Sequence, residues 1–120
     1  MLKVLAVSVV GILPCTAQAE TNLLMAEEDG CYWCAKWNAE ISPIYPKTAE
    51  GQTAPLQRFD VHGEKPDVVF EKPVRFTPTF ILVDDGKEVG RIEGYPGSDF
   101  FWGLLGMMFE QANIPLDQGT

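Results

Sequence analysis

The first elements predicted after residue 20 are a buried strand and a short helix. Three consecutive apolar residues, 23–25, predict a strand over residues 22–26. A helix is predicted over residues 31–42, because large apolar side chains recur every fourth position on one of its faces; these side chains are Trp33, Trp37 and Ile41. Pro43 ends this helix, since a proline inside a helix removes a backbone hydrogen bond and clashes with the preceding turn.

The middle of the chain has a weaker pattern than its two ends. Residues 46–55 predict a loop with a short turn, because prolines stand at both of its ends. Residues 56–61 predict a second strand, and residues 66–70 predict a short helix that begins at a proline.

The last third of the chain predicts a hairpin followed by a helix. Residues 79–83 and 88–92 are rich in strand-forming residues and are separated by the turn sequence Asp-Asp-Gly-Lys. A helix over residues 99–113 follows, with Ser98 as its N-cap and Pro115 beyond its end. The predicted order β-α-β-α-β-β-α is that of the thioredoxin-like α/β fold, a central mixed sheet of about four strands flanked by helices.

Composition limits the number of domains and the class of partner. The 120 residues are 46% hydrophobic and 22% charged, which is enough apolar surface for the core of a single domain. Nine Lys and Arg face 17 Asp and Glu, which gives a net charge of -8. A chain this acidic is not expected to bind nucleic acid or anionic lipid.

Residues 1–19 predict a secretory signal peptide, which leaves residues 20–120 as the folded domain. Lys3 supplies a positive charge, an apolar run follows, and Ala17-Gln18-Ala19 is an A-x-A cleavage sequence. The apolar run has ten residues, whereas a membrane-spanning helix needs about 20. We therefore expect cleavage after Ala19, export to the periplasm and no membrane insertion afterwards. A lipoprotein signal that ends at Cys15 is the alternative, with Pro14 unfavourable for it.

Cleavage leaves two cysteines, Cys31 and Cys34, separated by two residues. A disulfide across so short a loop stabilises a fold weakly, so a reversible redox pair is the better interpretation. At the start of a helix Cys31 faces free backbone N–H groups that favour the thiolate, so it is the predicted nucleophile. Cys34 lies one turn deeper as the predicted resolving thiol. A structural zinc site usually needs four ligands, and His62 is the only histidine, so zinc is not expected.

A Thr-Pro pair just before the hairpin is the second candidate element. Thr77-Pro78 stands where thioredoxin-like proteins carry a cis-proline loop beside the active cysteines. X–Pro bonds are the only ones that adopt cis at a small cost. We expect the Thr77 backbone to pair with an extended substrate peptide.

Four segments distributed along the chain after residue 20 resemble the SoxS family, the periplasmic thioredoxin-like proteins of bacterial sulfur-oxidising (Sox) systems. These segments are residues 30–37, 43–48, 74–80 and 94–102. The resemblance implies a thiol-disulfide oxidoreductase that reduces the carrier cysteine of a SoxYZ-like protein and receives electrons from a membrane thiol-disulfide transporter. It implies no cofactor beyond the Cys31–Cys34 disulfide. The predicted substrate-binding residues are Tyr32, Trp33, Thr77, Pro78, Gly94 and Tyr95.

Charge near the cysteines predicts a reductant or isomerase rather than a strong oxidant. Three carboxylates precede Cys31, and each at about 8 Å opposes its thiolate by about 0.5 kcal/mol in water; they are Glu27, Glu28 and Asp29. Met25 stands where thioredoxin has a buried aspartate, so a proton relay through that carboxylate is absent. The alternative function is a non-catalytic module that binds a protein or Cu(I) through the same two sulfurs.

Overall fold

The computed structural model describes residues 2–12 and 20–116. Residues 2–12 are exposed and form no helix or strand. Cys15 and the predicted cleavage site after Ala19 lie outside the described residues. Of the helices in the described ranges, none is both long and apolar enough to cross a membrane.

Four strands form one mixed sheet in the order β2-β1-β3-β4. Their bounds are β1 Thr21–Glu27, β2 Leu56–Asp60, β3 Thr79–Asp84 and β4 Lys87–Glu93. Strand β1 runs parallel to β2 and antiparallel to β3, while β3 and β4 form the predicted hairpin. Because β1 lies inside the sheet with both faces covered, its apolar run is buried without alternation. The α/β class and the four-stranded mixed sheet are confirmed.

Two helices pack on one face of this sheet. They are α1, Tyr32–Glu40, and a longer helix near the end of the chain, Ser98–Gln111. Both bring aromatic side chains onto the sheet, where the Trp37, Phe80 and Phe101 rings lie with centroids 5.0 to 5.8 Å apart. Trp37 is fully buried, which agrees with its predicted packing on the sheet.

The connection after α1 is more ordered than the predicted loop. A 3-10 turn, Tyr45–Lys47, is followed by a short helix, α2, Ala49–Thr53. The Tyr45 hydroxyl is buried and donates a hydrogen bond of 2.6 Å to the carbonyl of Ala54. The last helix is therefore α3; its N-cap is Gly97, so Ser98 is its first residue rather than the predicted cap.

The predicted helix at residues 66–70 is wrong, and an irregular segment covers the second face of the sheet. Val69 forms a parallel bridge to Lys87 at the edge of β4, through backbone bonds with Gly86 and Glu88. These long-range bonds compete with the local bonds that a helix would need. Apolar side chains from this segment pack on Leu24, Ile81 and Val83; they include Val68, Phe70 and Val74.

Candidate active site

The two cysteines lie where β1 ends and α1 begins. Cys31 is the N-cap of α1, and its Sγ accepts a 3.1 Å hydrogen bond from the backbone N–H of Cys34. Cys34 is 4% exposed and belongs to the main core, whereas Cys31 is half-buried. The two residues form a disulfide. The helix N-terminus therefore offers an N–H donor to the sulfur that is better placed to meet a partner.

The two residues between the cysteines present aromatic surface to solvent. The Tyr32 side chain is 68% exposed and that of Trp33 is 48% exposed. Their rings meet edge to face, with centroids 5.0 Å apart. Lys36 places its Nζ 5.3 Å from the centroid of the Trp33 ring. A partner that reaches the disulfide therefore meets apolar ring surface beside it.

An open, acidic cleft of about 540 Å³ borders the disulfide and is lined by both cysteines and by Tyr32. Three carboxylates that precede Cys31 line this cleft, and two of them have partners. Glu27 pairs with Arg58 at 2.7 Å, and Glu28 accepts hydrogen bonds from Thr77 at 2.6 Å and from His62 at 2.7 Å. The bonds from Thr77 and His62 lower the pKa of Glu28.

The Thr77–Pro78 loop lies against this turn. The Thr77–Pro78 peptide bond is cis. Pro78 is buried and Thr77 is half-buried. The carbonyl of Pro78 accepts a 2.7 Å hydrogen bond from the backbone N–H of Gly94, which joins the loop to the segment after β4. Hydrogen bonds therefore connect the Thr77–Pro78 loop to Gly94 and, through Glu28, to the turn that leads into the cysteine helix.

Tyr95 departs from the predicted substrate-binding set, because its side chain is buried. It is 6% exposed and packs edge to face on Phe101, with ring centroids 6.2 Å apart. Burial, together with the negative charge of Glu40, raises the pKa of Tyr95. Its side chain supports the core beneath the site and offers almost no surface to a partner.

Residues 15–108 match the family described as thioredoxin-like domain. The chain belongs to the thioredoxin-like family. It is 50% identical to periplasmic thioredoxin SoxS from Paracoccus pantotrophus, whose crystal structure in the reduced form superimposes with a TM-score of 0.75. That match covers 78% of this chain and 99% of the other.

Two more distant thioredoxins show the fold alone. Thioredoxin f2 from Chlamydomonas reinhardtii is 14% identical with a TM-score of 0.56, and the match covers 83% of this chain and 85% of the other. Thioredoxin Mala s 13 from Malassezia sympodialis is 16% identical with a TM-score of 0.53, and the match covers 78% of each chain. No curated protein sequence matches the chain.

This thioredoxin-like protein is a thiol-disulfide oxidoreductase that uses the Cys31-Tyr32-Trp33-Cys34 disulfide. The resemblance to the SoxS family seen in the sequence is confirmed. Within residues 2–12 and 20–116, no group of three or more His, Cys, Asp or Glu side chains is placed to hold a metal ion.

The sequence did not indicate two contacts of the site. One is the hydrogen bond from Thr77 to Glu28, and the other is the position of Arg58 beside Glu27. One Arg58 Nη lies 3.4 Å from the Met25 sulfur, and its guanidinium carbon lies 5.8 Å from the centroid of the Trp37 ring. Arg58 is opposite Met25 in the β1–β2 register. Arg58 stands out in the sequence as the one charged residue within residues 56–59 of the predicted strand. Its contact with Met25 could not be predicted, because it depends on the pairing of β1 with β2.

Proposed function

We propose that this protein is a periplasmic reductant that restores the carrier cysteine of a SoxYZ-like sulfur-carrier protein. The similarity to periplasmic thioredoxin SoxS carries this proposal, because it extends over 99% of that chain at 50% identity. The exposed aromatic pair beside the disulfide supports a protein substrate, since apolar ring surface suits contact with another protein.

The reaction is a dithiol-disulfide exchange. The Cys31 thiolate attacks one sulfur of the partner's disulfide, and the other partner sulfur leaves as a thiolate that takes up a proton. Cys34 loses its proton and attacks the Cys31 sulfur, which releases the reduced partner and forms the Cys31–Cys34 disulfide. A membrane thiol-disulfide transporter then supplies two electrons that reduce this disulfide again.

Five residues make up the proposed substrate site around the sulfurs, three at its surface and two beneath them. Tyr32 and Trp33 provide apolar contact, while the Thr77 backbone pairs with an extended segment of the partner. None of the backbone hydrogen bonds formed outside helices and strands in the described chain involves Thr77, which supports its availability. Pro78 and Gly94 hold the loop that presents it.

We also propose that a signal peptide directs export of the protein and is cleaved after Ala19. N-terminal sequencing of the protein recovered from a periplasm is expected to give Glu20 as the first residue. A mature chain that starts at Cys15 and carries lipid would contradict cleavage at this site.

The test is a trapping experiment in a bacterium that oxidises thiosulfate. Cys34→Ser removes the resolving thiol, so the mixed disulfide with Cys31 should persist and be identified by mass spectrometry. The matched control, Cys31→Ser with Cys34→Ser, should trap nothing. Capture of a sulfur-carrier protein supports the proposal. Capture of unrelated proteins alone contradicts the proposed carrier substrate, and capture of nothing contradicts the exchange reaction.

A further inference from the structure

One side-chain contact ties the turn before Cys31 to the loop that carries Pro78. We propose that Glu28 is a positioning residue, whose bond to Thr77 fixes the Thr77 backbone in the orientation that a substrate peptide needs. The inference rests on the proposed exchange reaction with a protein substrate. It assigns to Glu28 a role in substrate affinity and no role in bond breaking.

Glu28 contacts both halves of the site. Its backbone carbonyl accepts a 3.3 Å hydrogen bond from the N–H of Cys31. Its carboxylate accepts a 2.6 Å bond from the Thr77 hydroxyl through Oε1 and lies 2.7 Å from Nε2 of His62 through Oε2. With His62 on one oxygen, the other is held toward Thr77. A single residue therefore spans the distance between the nucleophile and the substrate loop.

Strand register explains why the bond forms here. Strands β1 and β3 are antiparallel, and their last pair at this end is Ala26 opposite Thr79. Glu28 is two residues beyond Ala26 and Thr77 is two residues before Thr79, so an antiparallel register extended past the ladder would place them opposite each other. The side-chain bond holds the two segments together where the ladder has ended.

Because a side-chain bond stands in for backbone pairing here, the Thr77 backbone stays free while its side chain is fixed. A continued ladder would use the Thr77 N–H or C=O for pairing with β1, and a partner strand could not add there. Without the carboxylate, Thr77 would have no hydrogen bond in the part of the chain that the structure describes, and the neighbouring Phe76 side chain is 58% exposed. We therefore expect a loop that samples more orientations and binds an extended peptide more weakly.

The experiment compares a protein disulfide with a small one. Insulin, reduced in the presence of dithiothreitol, is expected to pair with the Thr77 backbone, whereas hydroxyethyl disulfide is small enough to reach Cys31 without it. Glu28→Ala and Thr77→Val should each raise KM for insulin about tenfold, the effect of losing one charge-assisted hydrogen bond. Glu28→Ala should leave kcat for insulin and the rate with hydroxyethyl disulfide within about twofold.

Matched variants separate positioning from charge and from general destabilisation. Thr77→Ser keeps the hydroxyl donor and Glu28→Gln keeps an acceptor oxygen, so both should restore KM to within about threefold of the wild type. Asp29→Asn removes an adjacent negative charge that has no contact with Thr77, and it should change KM less than twofold. The double variant Glu28→Ala with Thr77→Val should be no worse than either single variant, because both remove the same bond.

Two results would overturn the proposal. An unchanged KM in Glu28→Ala means that the loop is held without this bond, and an equal loss of rate with hydroxyethyl disulfide means that Glu28 acts on Cys31 itself. The wild-type protein distinguishes these failures from failure of the proposed function. A wild type that reduces neither insulin nor hydroxyethyl disulfide overturns both, whereas an active wild type with unaffected variants overturns the positioning role alone.

Discussion

Glu88 and Arg91 form a buried ion pair on β4 that holds the irregular segment on the second face of the sheet. Their side chains are only 3% and 7% exposed, and two bonds of 2.6 Å join them. Glu88 also accepts a 3.0 Å bond from the backbone N–H of Glu71, while Arg91 donates to the carbonyls of Lys72 and Pro73. Residues 71–73 lead directly to the Thr77–Pro78 loop, so the ion pair helps to fix the position of that loop.

Glu88→Ala should destabilise the protein by about 3–5 kcal/mol. Removal of one partner from a buried pair leaves the other as an uncompensated buried charge, and the known cost lies in that range. A domain of this size has about 5–15 kcal/mol of total stability, so much of it would be lost. Glu93→Gln is the matched control, because its pair with Lys72 is partly exposed and should contribute at most about 1 kcal/mol.

The pH dependence gives an independent measure of the same pair. Burial opposes ionisation of Glu88, but the bonds and the charge of Arg91 outweigh it and hold the pKa of Glu88 below its ordinary value. The stabilisation is therefore complete above about pH 4.3, the ordinary pKa, and is lost as pH falls through the lower pKa of the folded state. Urea unfolding of the wild type and of Glu88→Gln should give free energies that converge as the pH falls below this point.

Either of two results would refute this account of the pair. One is a Glu88→Ala variant whose free energy of unfolding at pH 7 lies within about 1 kcal/mol of the wild type, as for an exposed pair. The other is a difference between the wild type and Glu88→Gln that stays constant from pH 7 to about pH 2, because such a difference cannot come from ionisation of Glu88.

Three further substitutions test the packing around the site. Gly51→Ala should lower the free energy of unfolding by about 1–3 kcal/mol, because its Cβ would overlap the backbone carbonyl of Tyr45. The control Gly103→Ala, on the open face of α3, should not destabilise the protein, and thermal unfolding compares the two variants. Phe101→Ala should cost about 3–5 kcal/mol in urea unfolding, and its neighbour Phe100→Ala, 71% exposed, less than about 0.5 kcal/mol; equal losses would contradict the assignment of the core face. Tyr45→Phe should cost about 1–3 kcal/mol by leaving the Ala54 carbonyl without its donor, and no loss of stability would mean that this bond has a substitute.

Local pattern was sufficient where an element is determined by its own residues. The hairpin of β3 and β4 follows from strand-forming residues on both sides of a turn sequence with a glycine at positive φ, Gly86. The first helix follows from apolar residues every fourth position, and Cys31 and Cys34 follow from their spacing. These features need no knowledge of distant contacts.

Pattern failed where the deciding contact is distant in sequence. Residues 66–70 begin with proline and were predicted as helix, but Val69 bonds to the edge of β4, some 17 residues away. The Glu28–Thr77 bond spans 49 residues and depends on the register of β1 against β3. Neither strand register nor edge pairing can be read from a short stretch of sequence. The covering of the second sheet face and the Glu28–Thr77 contact therefore could not be predicted.

The pairing of two carboxylates before Cys31 changes the electrostatic prediction for its thiol. Glu27 has the guanidinium of Arg58 at 2.7 Å, so that pair contributes little net potential at the sulfur. Glu28 is held by Thr77 and His62. Asp29 is exposed and has no hydrogen bond or ion pair within the part of the chain that the structure describes. Its charge therefore acts on Cys31 without a neighbouring cation.

Asp29→Asn should lower the pKa of the Cys31 thiol by about 0.4, the effect of one charge at about 8 Å in water. Removal of both members of the other pair, by Glu27→Gln with Arg58→Gln, should change it by less than about 0.1, because the two contributions cancel. The pH dependence of alkylation by iodoacetamide measures both. A stabler thiolate favours the reduced form, so the Asp29→Asn disulfide should be more oxidising by about 12 mV. A thiol pKa that falls equally in the two proteins would show that Arg58 does not compensate Glu27 at the sulfur, and that Glu27 favours a reductant as Asp29 does.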